Sequence, residues 1–355
     1  MQEREFFREI GAVLAEWYGR NRRDLPWRTT RDPYRIWLAE VILQQTRVAQ
    51  GLSYYERFIA FFPDINSLAA ATEDQVLKLW QGLGYYSRAR NLHAAAKEVV
   101  GRFGGVFPRT CAEVRSLPGV GDYTAAAVCS IAYNLPCAVI DGNVYRVLAR
   151  LFDIDLPIES GEAKKNFAEL AGALLDPVAP GIHNQAVMEF GALYCTPVSP
   201  GCTECPLGER CLARAHGTVA QRPVKTRKTA PKPRYFHYLH IHAGGKTLLQ
   251  KRGAHDIWKN LYEFPLIETD APADWLALQE TELFRTWFAG TESVTLRRSV
   301  GMPPHHLTHR TIHARFYEII LPEVLPGLRG FIPADDAALG DYAIPRLVER
   351  YLMGN

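Results

Sequence analysis

Residues 110–133 read TCAEVRSLPGVGDYTAAAVCSIAY. The spacing predicts a short helix up to Ser116, a break at Leu117-Pro118-Gly119-Val120-Gly121 and a second helix from about Asp122. The two glycines, Gly119 and Gly121, permit a tight turn that exposes backbone amides at a helix N-terminus, and such amides suit a phosphate oxygen. A bare Pro-Gly-x-Gly turn also serves as an ordinary helix–helix connector. The small-residue helix that follows at once, Thr124-Ala-Ala-Ala-Val, is the more specific feature.

Helical spacing continues on both sides of this hairpin. Glu3–Tyr18 places Phe6, Ile10, Val13, Leu14 and Trp17 at helix periodicity. Similar stretches fall at 34–50, 52–62, 73–80, 87–103, 143–152, 162–175 and 183–194, separated by Gly, Pro, Asp or Ser breaks. Residues 1–216 therefore read as an all-α domain of many short helices. Residues 217–234, GTVAQRPVKTRKTAPKPR, hold three prolines and several cations with little to bury, and read as an extended basic linker, either a plain spacer or a DNA-facing segment. Beyond it the pattern changes. Tyr235–Ala243 and Lys246–Lys251 flank a Gly-Gly pair as a hairpin, 306–320 suits a strand, and 273–289 and 345–352 suit helices. Residues 235–355 thus form an α+β domain.

A chain of 355 residues is long enough for two such domains. With 47% hydrophobic and 22% charged residues it has the balance of a soluble globular protein. A net charge of +3 does not by itself indicate a nucleic-acid partner. The N-terminal MQEREFFREIGAVLAEWYGRNRR mixes acids and bases without a signal-peptide pattern, and no apolar run of about eighteen residues predicts a membrane span. Of seven cysteines, Cys111, Cys129 and Cys137 are scattered and four are clustered. An odd count with one cluster argues against a secreted disulfide framework and for a metal site in a reducing, cytoplasmic compartment.

The cluster runs C-x6-C-x2-C-x5-C through Cys195, Cys202, Cys205 and Cys211, interrupted by Pro197, Pro200, Gly201 and Pro206. Such a loop cannot be a regular helix but can wrap a metal centre. Four soft thiolates suit either zinc or an iron–sulfur cluster, and the ligand set alone does not choose.

Two carboxylates attract attention. Glu40 is the only charge in Ile36-Trp37-Leu38-Ala39-Glu40-Val41-Ile42-Leu43, where desolvation would raise its pKa into the range of a general acid. An exposed stripe or an arginine partner would instead leave it ordinary. Asp141 precedes the helix from Val144, so it is a natural N-cap. A carboxylate at that point could also stabilise a cationic sugar.

In order along the chain, WLAEVILQQT, GLGYYSRARNL, LPGVGDYTAAAV, VIDGNVYRVLAR and the cysteine spacing together resemble the adenine DNA glycosylase family of helix-hairpin-helix, iron–sulfur DNA-repair enzymes, over nearly all of residues 5–215. The resemblance implies a monomer that acts on double-stranded DNA containing adenine opposite 8-oxoguanine or guanine, flips the adenine out and hydrolyses its glycosidic bond. It assigns Glu40 to protonating the adenine ring, Asp141 to the oxocarbenium-like sugar, and Tyr123 and Asn143 to supporting them. It places Trp27, Arg28, Leu43 and Gln185 in the adenine pocket, and Gln45, Thr46 and Tyr85 in the stack near the lesion. Leu117, Gly119 and Gly121 fall on the backbone-gripping hairpin. It identifies the cysteine loop as the seat of one structural 4Fe–4S cluster. Tyr123 stands where bifunctional relatives carry a Schiff-base lysine, which implies base removal without an efficient lyase step.

The second domain resembles the family's Nudix-like lesion-sensing domain through Ile257–Pro265 and through Leu307-Thr308-His309, which stands where Phe-Ser-His is usual. No Nudix box is present, so pyrophosphatase activity is not expected. His306, His309 and His313 are open to two readings, zinc ligands or residues of an ordinary strand. Two rival functions remain: an endonuclease III-like glycosylase/lyase, against which Tyr123 counts, and a non-catalytic iron–sulfur lesion sensor, against which Glu40 and Asp141 count.

Overall fold

The computed structural model describes residues 2–226, 230–254, 256–291 and 294–354, so residues 227–229, in the middle of the expected linker, lie outside the described residues. Two compact units form, one of Met1–Ala71 with Arg90–Arg227, the other of Thr72–Ala89 with Lys228–Asn355.

The helices are α1 (Gln2–Asn21), α2 (Pro33–Leu43), α3 (Val48–Phe61), α4 (Ile65–Ala70), α5 (Glu73–Trp80), α6 (Ser87–Phe103), α7 (Cys111–Ser116), α8 (Asp122–Tyr133), α9 (Gly142–Leu151), α10 (Gly161–Leu174), α11 (Pro180–Leu193) and α12 (Leu212–Ala215). Their starts are chemically marked. Asp32 caps α2 ahead of Pro33, Thr110 caps α7, Asp141 caps α9 and Ser160 caps α10, each accepting from a backbone N–H one turn in. The expected helix over 34–50 is in fact two. Gln45 takes a left-handed φ of 56° between α2 and α3, and Gln44 Nε2 donates to Thr124 Oγ1 at 3.1 Å. Neither glycine nor proline marks that break in the sequence, which is why periodicity ran through it.

In the first unit α1 lays Ile10, Leu14 and Tyr18 into a core shared with Ala127 of α8, Val147 and Leu148 of α9, Phe167 of α10 and Val187 and Phe190 of α11. The hairpin between α7 and α8 has the expected tight turn. Gly119 adopts φ 73°, and a Cβ there would stand 2.5 Å from Cβ of Asn91, so this position requires glycine on two counts.

The stretch expected as a free linker is partly pinned. Arg150 Nε donates to the carbonyls of Val219 and Arg222, Arg222 pairs with Asp153 at 2.8 Å, and Ile158 N donates to Val224 O. Backbone carbonyls that accept from a buried arginine elsewhere in the chain are a tertiary property that the composition of a basic segment does not reveal. Cys111 and Cys137 form a disulfide while Cys129 is a buried thiol. A single bridge is not the disulfide framework that the odd cysteine count argued against, and its separation of 26 residues carries no local signal in the sequence.

The second unit is built on β1 (Lys232–Ala243), which runs parallel to β7 (Arg310–Leu321) along its full length. The other edge of β1 is shared by β4 (Leu266–Thr269) and, across Gly244-Gly245, by β2 (Lys246–Lys251). β3 (Tyr262–Glu263) and β8 (Ile332–Ala334) pair with β2, and β5 (Leu296–Gly301) and β6 (His305–His306) pair with β7, all antiparallel. Alternation along the strands feeds two cores. One holds Phe236, Tyr238, Phe264 and Phe316 with Leu347 and Tyr351 of α15 (Arg346–Leu352). The other holds Leu239, Ile241, Tyr317 and Ile319 with Leu278 of α13 (Trp275–Gln279) and Phe284 of α14 (Glu282–Trp287). The strand expected over 306–320 is a hairpin: Leu307-Thr308-His309 turn between β6 and β7, and His313 stacks on Tyr235.

α5 belongs to this second unit although the sequence places it inside the helical domain. Asp74 pairs with Lys251 at 2.7 Å and accepts from Tyr262 at 2.9 Å, Lys78 Nζ reaches the Tyr342 carbonyl at 3.1 Å, and Gln81 Nε2 reaches Glu349 at 3.0 Å. An amphipathic pattern shows that a helix buries one face, not which core receives it. Among the described residues, no helix is long and apolar enough to cross a membrane.

Candidate active site and metal centre

Glu40 sits in the last turn of α2, 7% exposed. Its neighbours Trp37, Leu38, Val41 and Ile42 are buried with it. Tyr123, from the first turn of α8, donates its phenol O–H to Glu40 Oε2 at 2.5 Å and also lies 3.5 Å from Met188 Sδ on α11. Burial is the main cause that pushes the Glu40 carboxyl up to about 7, the Asp141 charge adds to it, and the Tyr123 hydrogen bond and the Arg28 charge oppose it. Burial, then the negative charges of Glu40 and Asp141, hold the Tyr123 phenol well above its usual value, so it stays a donor.

Asp141 serves as the N-cap and is also part of this cluster. Its Oδ1 accepts from the backbone amides of Asn143 and Val144, at 2.9 and 2.8 Å, and its Oδ2 accepts from Asn143 Nδ2 at 2.7 Å. Burial pushes its pKa up, against the hydrogen bonds from Val144 and Asn143. Asn143 is held in turn by Arg146, whose Nη2 donates to Asn143 Oδ1 at 2.9 Å and to the Gly191 carbonyl at 2.6 Å. α11 can come this close because a Cβ at Gly191 would stand 2.7 Å from Cβ of Asn143.

Of the other expected pocket residues, Trp27 and Arg28 lie in one 3-10 turn, Leu43 ends α2 and Gln185 lies on α11. Trp27 is buried in a 3-10 turn, edge-on to Tyr55 at 5.1 Å. Leu43 packs over Gly51 of α3. Gln185 accepts from Tyr18 at 3.1 Å. Arg28 forms a two-pronged bond to Glu189 of α11, Nη1 to Oε1 at 2.7 Å and Nη2 to Oε2 at 2.5 Å. Glu189 was not singled out in the sequence, nor was Arg23, which binds the same carboxylate at 2.9 and 2.5 Å. A usable signal was present, since Glu189 is the only charge in Ala186-Val187-Met188-Glu189-Phe190-Gly191, the pattern that drew attention to Glu40. Gln45 is exposed at the α2–α3 break, and Thr46 N donates to Leu43 O at 3.1 Å. Leu117 is buried under the hairpin, and Gly121 precedes α8.

In the second unit Tyr85, with φ 47° and half exposed, meets Thr308 hydroxyl to hydroxyl at 3.1 Å. Leu307 N donates to Arg310 O, closing the turn that presents Thr308 and His309.

Cys195, Cys202, Cys205 and Cys211 line one cavity with Arg150, Tyr194 and Arg214. Arg150, nearly fully buried, points Nη1 at Cys195 Sγ at 3.4 Å and at Thr196 O at 2.7 Å. Arg146 Nε donates to Cys195 O at 2.7 Å, so one side chain touches both the cysteine loop and Asn143. Burial pushes the Cys205 thiol up to about 11 and raises that of Cys211. A metal centre there would displace these protons and take thiolates as ligands. The donor chemistry, four thiols lining one cavity beside a buried guanidinium that would offset thiolate charge, is that of a thiolate-bound centre, although among the described residues no group of three or more His, Cys, Asp or Glu is arranged to hold a metal ion.

The chain matches the HhH-GPD superfamily base excision DNA repair proteins over residues 38–172 and the NUDIX domain over residues 237–354. An adenine DNA glycosylase of Buchnera aphidicola subsp. Baizongia pistaciae is 35% identical, over 76% of this chain and 78% of that protein. The adenine DNA glycosylase of Rattus norvegicus is 45% identical over 59% of this chain and 42% of its own length. That of Arabidopsis thaliana is 34% identical over 90% and 58%. Among solved structures, a thermostable thymine-DNA glycosylase superimposes with a TM-score of 0.54 at 29% identity, covering 61% of this chain and 98% of that one. Endonuclease III in a non-covalent DNA complex shares the fold with a TM-score of 0.52 at 22% identity, over 60% and 97%.

Proposed function

The chain belongs to the adenine DNA glycosylase family, hydrolases of N-glycosyl bonds in base excision repair, and on that premise we propose that it removes adenine paired with 8-oxoguanine or guanine by protonating an extruded base. The observation that carries this reading is the buried Glu40–Tyr123 pair, in which a carboxyl pushed up to about 7 is poised to hold and release a proton at neutral pH. Adenine is a poor leaving group as an anion. Protonation of a ring nitrogen by Glu40 lets it depart neutral as the C1′–N9 bond breaks. Asp141, held by Asn143 and two backbone amides, offers a fixed negative charge to the sugar cation, and water then adds to C1′, its released proton restoring the acid form of Glu40.

Arg28 and Gln185 supply polar contacts for the base edge, and Trp27 and Leu43 its apolar walls. The Gly119–Gly121 turn and α8 offer amides to a phosphate, with exposed Gln45 and half-buried Thr46 next to it in sequence for the strand near the lesion. Tyr85, Thr308 and His309 form the surface that contacts the oxidised guanine or its neighbours. The four cysteines hold one 4Fe–4S cluster, which stabilises the loop from Cys195 to Cys211. The protein works as a monomer in a reducing, cytoplasmic setting.

With Tyr123 at the hairpin, the site has no amine there for a Schiff base, so strand cleavage is not expected to accompany base release. The test is incubation with a duplex carrying adenine opposite 8-oxoguanine, with and without hot alkali. Cleavage of the adenine strand only after alkali supports the reading. Cleavage without alkali, or tight binding with no cleavage at all, overturns it.

A further inference from the structure

Glu189 is 1% exposed and carries two guanidinium partners. Arg23 and Arg28 each bind both of its oxygens, Arg23 N adds a fifth hydrogen bond at 3.0 Å, and Arg28 Nη1 also reaches the Arg23 carbonyl. Burial pulls the Glu189 pKa upward, but the hydrogen bonds from Arg28 and Arg23 prevail and take it down to about 2, so it is an anion at every working pH. Arg28 also lies over the Tyr18 ring at 5.5 Å, and Tyr18 binds Gln185, one turn before Glu189 on α11. One helix thus sets Gln185, Met188 and Glu189 along the wall that faces Tyr18, Tyr123 and Arg28.

The proposed chemistry puts conflicting demands on that wall. A base edge requires fixed N–H donors, which Arg28 has, whereas an unneutralised cation beside Glu40 favours its ionised form and removes the proton the reaction uses. Resting on the assignment of Glu40 as proton donor, we propose that Glu189 is a positioning residue that fixes the Arg28 guanidinium by gripping both of its Nη atoms and neutralises its charge, so that Glu40 keeps its proton. The titratable and charged groups around Glu40 are the neutral phenol Tyr123 from α8, Asp141 ahead of α9 and Arg28 from the 3-10 turn, and those around Arg28 are Glu189, Arg23 and the neutral phenol Tyr18. Arg28 already lowers the Glu40 pKa with its counter-charge in place.

The test follows single-turnover adenine release against pH in the full chain with its metal centre loaded. In E189Q the alkaline inflection moves down by about one pH unit, which is roughly a tenfold slower rate above neutrality and little change well below it. Removing Arg28 as well, in R28Q/E189Q, returns the inflection toward its original position. A merely structural Glu189 would lower the rate equally at all pH values, and that result overturns the proposal. If E189Q does not fold, R23Q/E189Q removes one cation with the anion and still leaves Arg28 uncompensated, with the same shift expected. A readout free of turnover is the infrared carbonyl band of protonated Glu40, isolated by subtraction of E40Q, whose midpoint falls by the same amount in E189Q. An unmoved midpoint refutes the role of Glu189. Wild-type protein that releases no adenine would instead refute the assigned reaction, while the infrared midpoint would still decide the charge compensation.

Discussion

The phenol of Tyr123 and the carboxyl of Glu40, 83 residues apart in sequence and on different helices, share a 2.5 Å hydrogen bond that leaves Glu40 buried. The bond ties the start of α8, just past the hairpin turn, to the end of α2. On the proposed reading, the turn that would hold the DNA backbone and the acid that would meet the base are thereby tied together, so that binding the duplex would place a base against Glu40.

Keeping an acid in that pocket works against stability at alkaline pH. A carboxyl whose folded pKa is raised binds its proton more tightly folded than unfolded, so its contribution is present below the unfolded pKa and is lost as pH rises through the folded value. For Glu40 that window runs from the ordinary glutamate range to about 7. We expect E40Q to match wild type at pH 4.5 and to be more stable by about 1–3 kcal/mol at pH 8, measured by urea unfolding. Equal stabilities at both pH values would contradict the buried titration.

The position of Glu40 was legible because one charge in an apolar helix stands out, and the hairpin because Pro-Gly-x-Gly is a local feature. Glu189 gave the same kind of signal and went unnoticed, because nothing in the sequence shows that Arg23 and Arg28, more than 160 residues away, close on it. The break at Gln45, the return of the linker to Arg150 and the docking of α5 on the sheet unit depend on long-range hydrogen bonds rather than on local composition. The turn at Leu307-Thr308-His309 reads as continuous strand because residues 306–320 as a whole are rich in β-branched and aromatic residues and the turn lacks glycine and proline.

Loss of a loop cysteine tests the metal centre through folding. C205S should abolish stoichiometric iron and sulfide and lower the melting temperature by several degrees, on the order of 2–4 kcal/mol for a closed loop that loses its staple. Unchanged iron content would reject the four-cysteine assignment.

Thr308 and Tyr85 predict a discrimination effect. T308V removes the hydroxyl that meets Tyr85, leaving each partner's turn intact. The preference for 8-oxoguanine over guanine opposite adenine should fall by about threefold to tenfold, the worth of one hydrogen bond, while excision of adenine opposite guanine stays within about twofold. A uniform loss on both duplexes would show that the pair supports folding, not recognition.

The most direct test of the account is the pH dependence of single-turnover adenine release by wild type, Y123F and E40Q. Protonated Glu40 as donor predicts a wild-type rate that is level in acid and falls about tenfold per pH unit above about 7. In Y123F the carboxylate loses its hydrogen-bond donor, so the inflection moves to higher pH although the rate itself is lower. E40Q should lose about a thousandfold or more. A wild-type rate that is flat to pH 9, or an E40Q protein that turns over normally, would contradict the assignment of Glu40 as the acid.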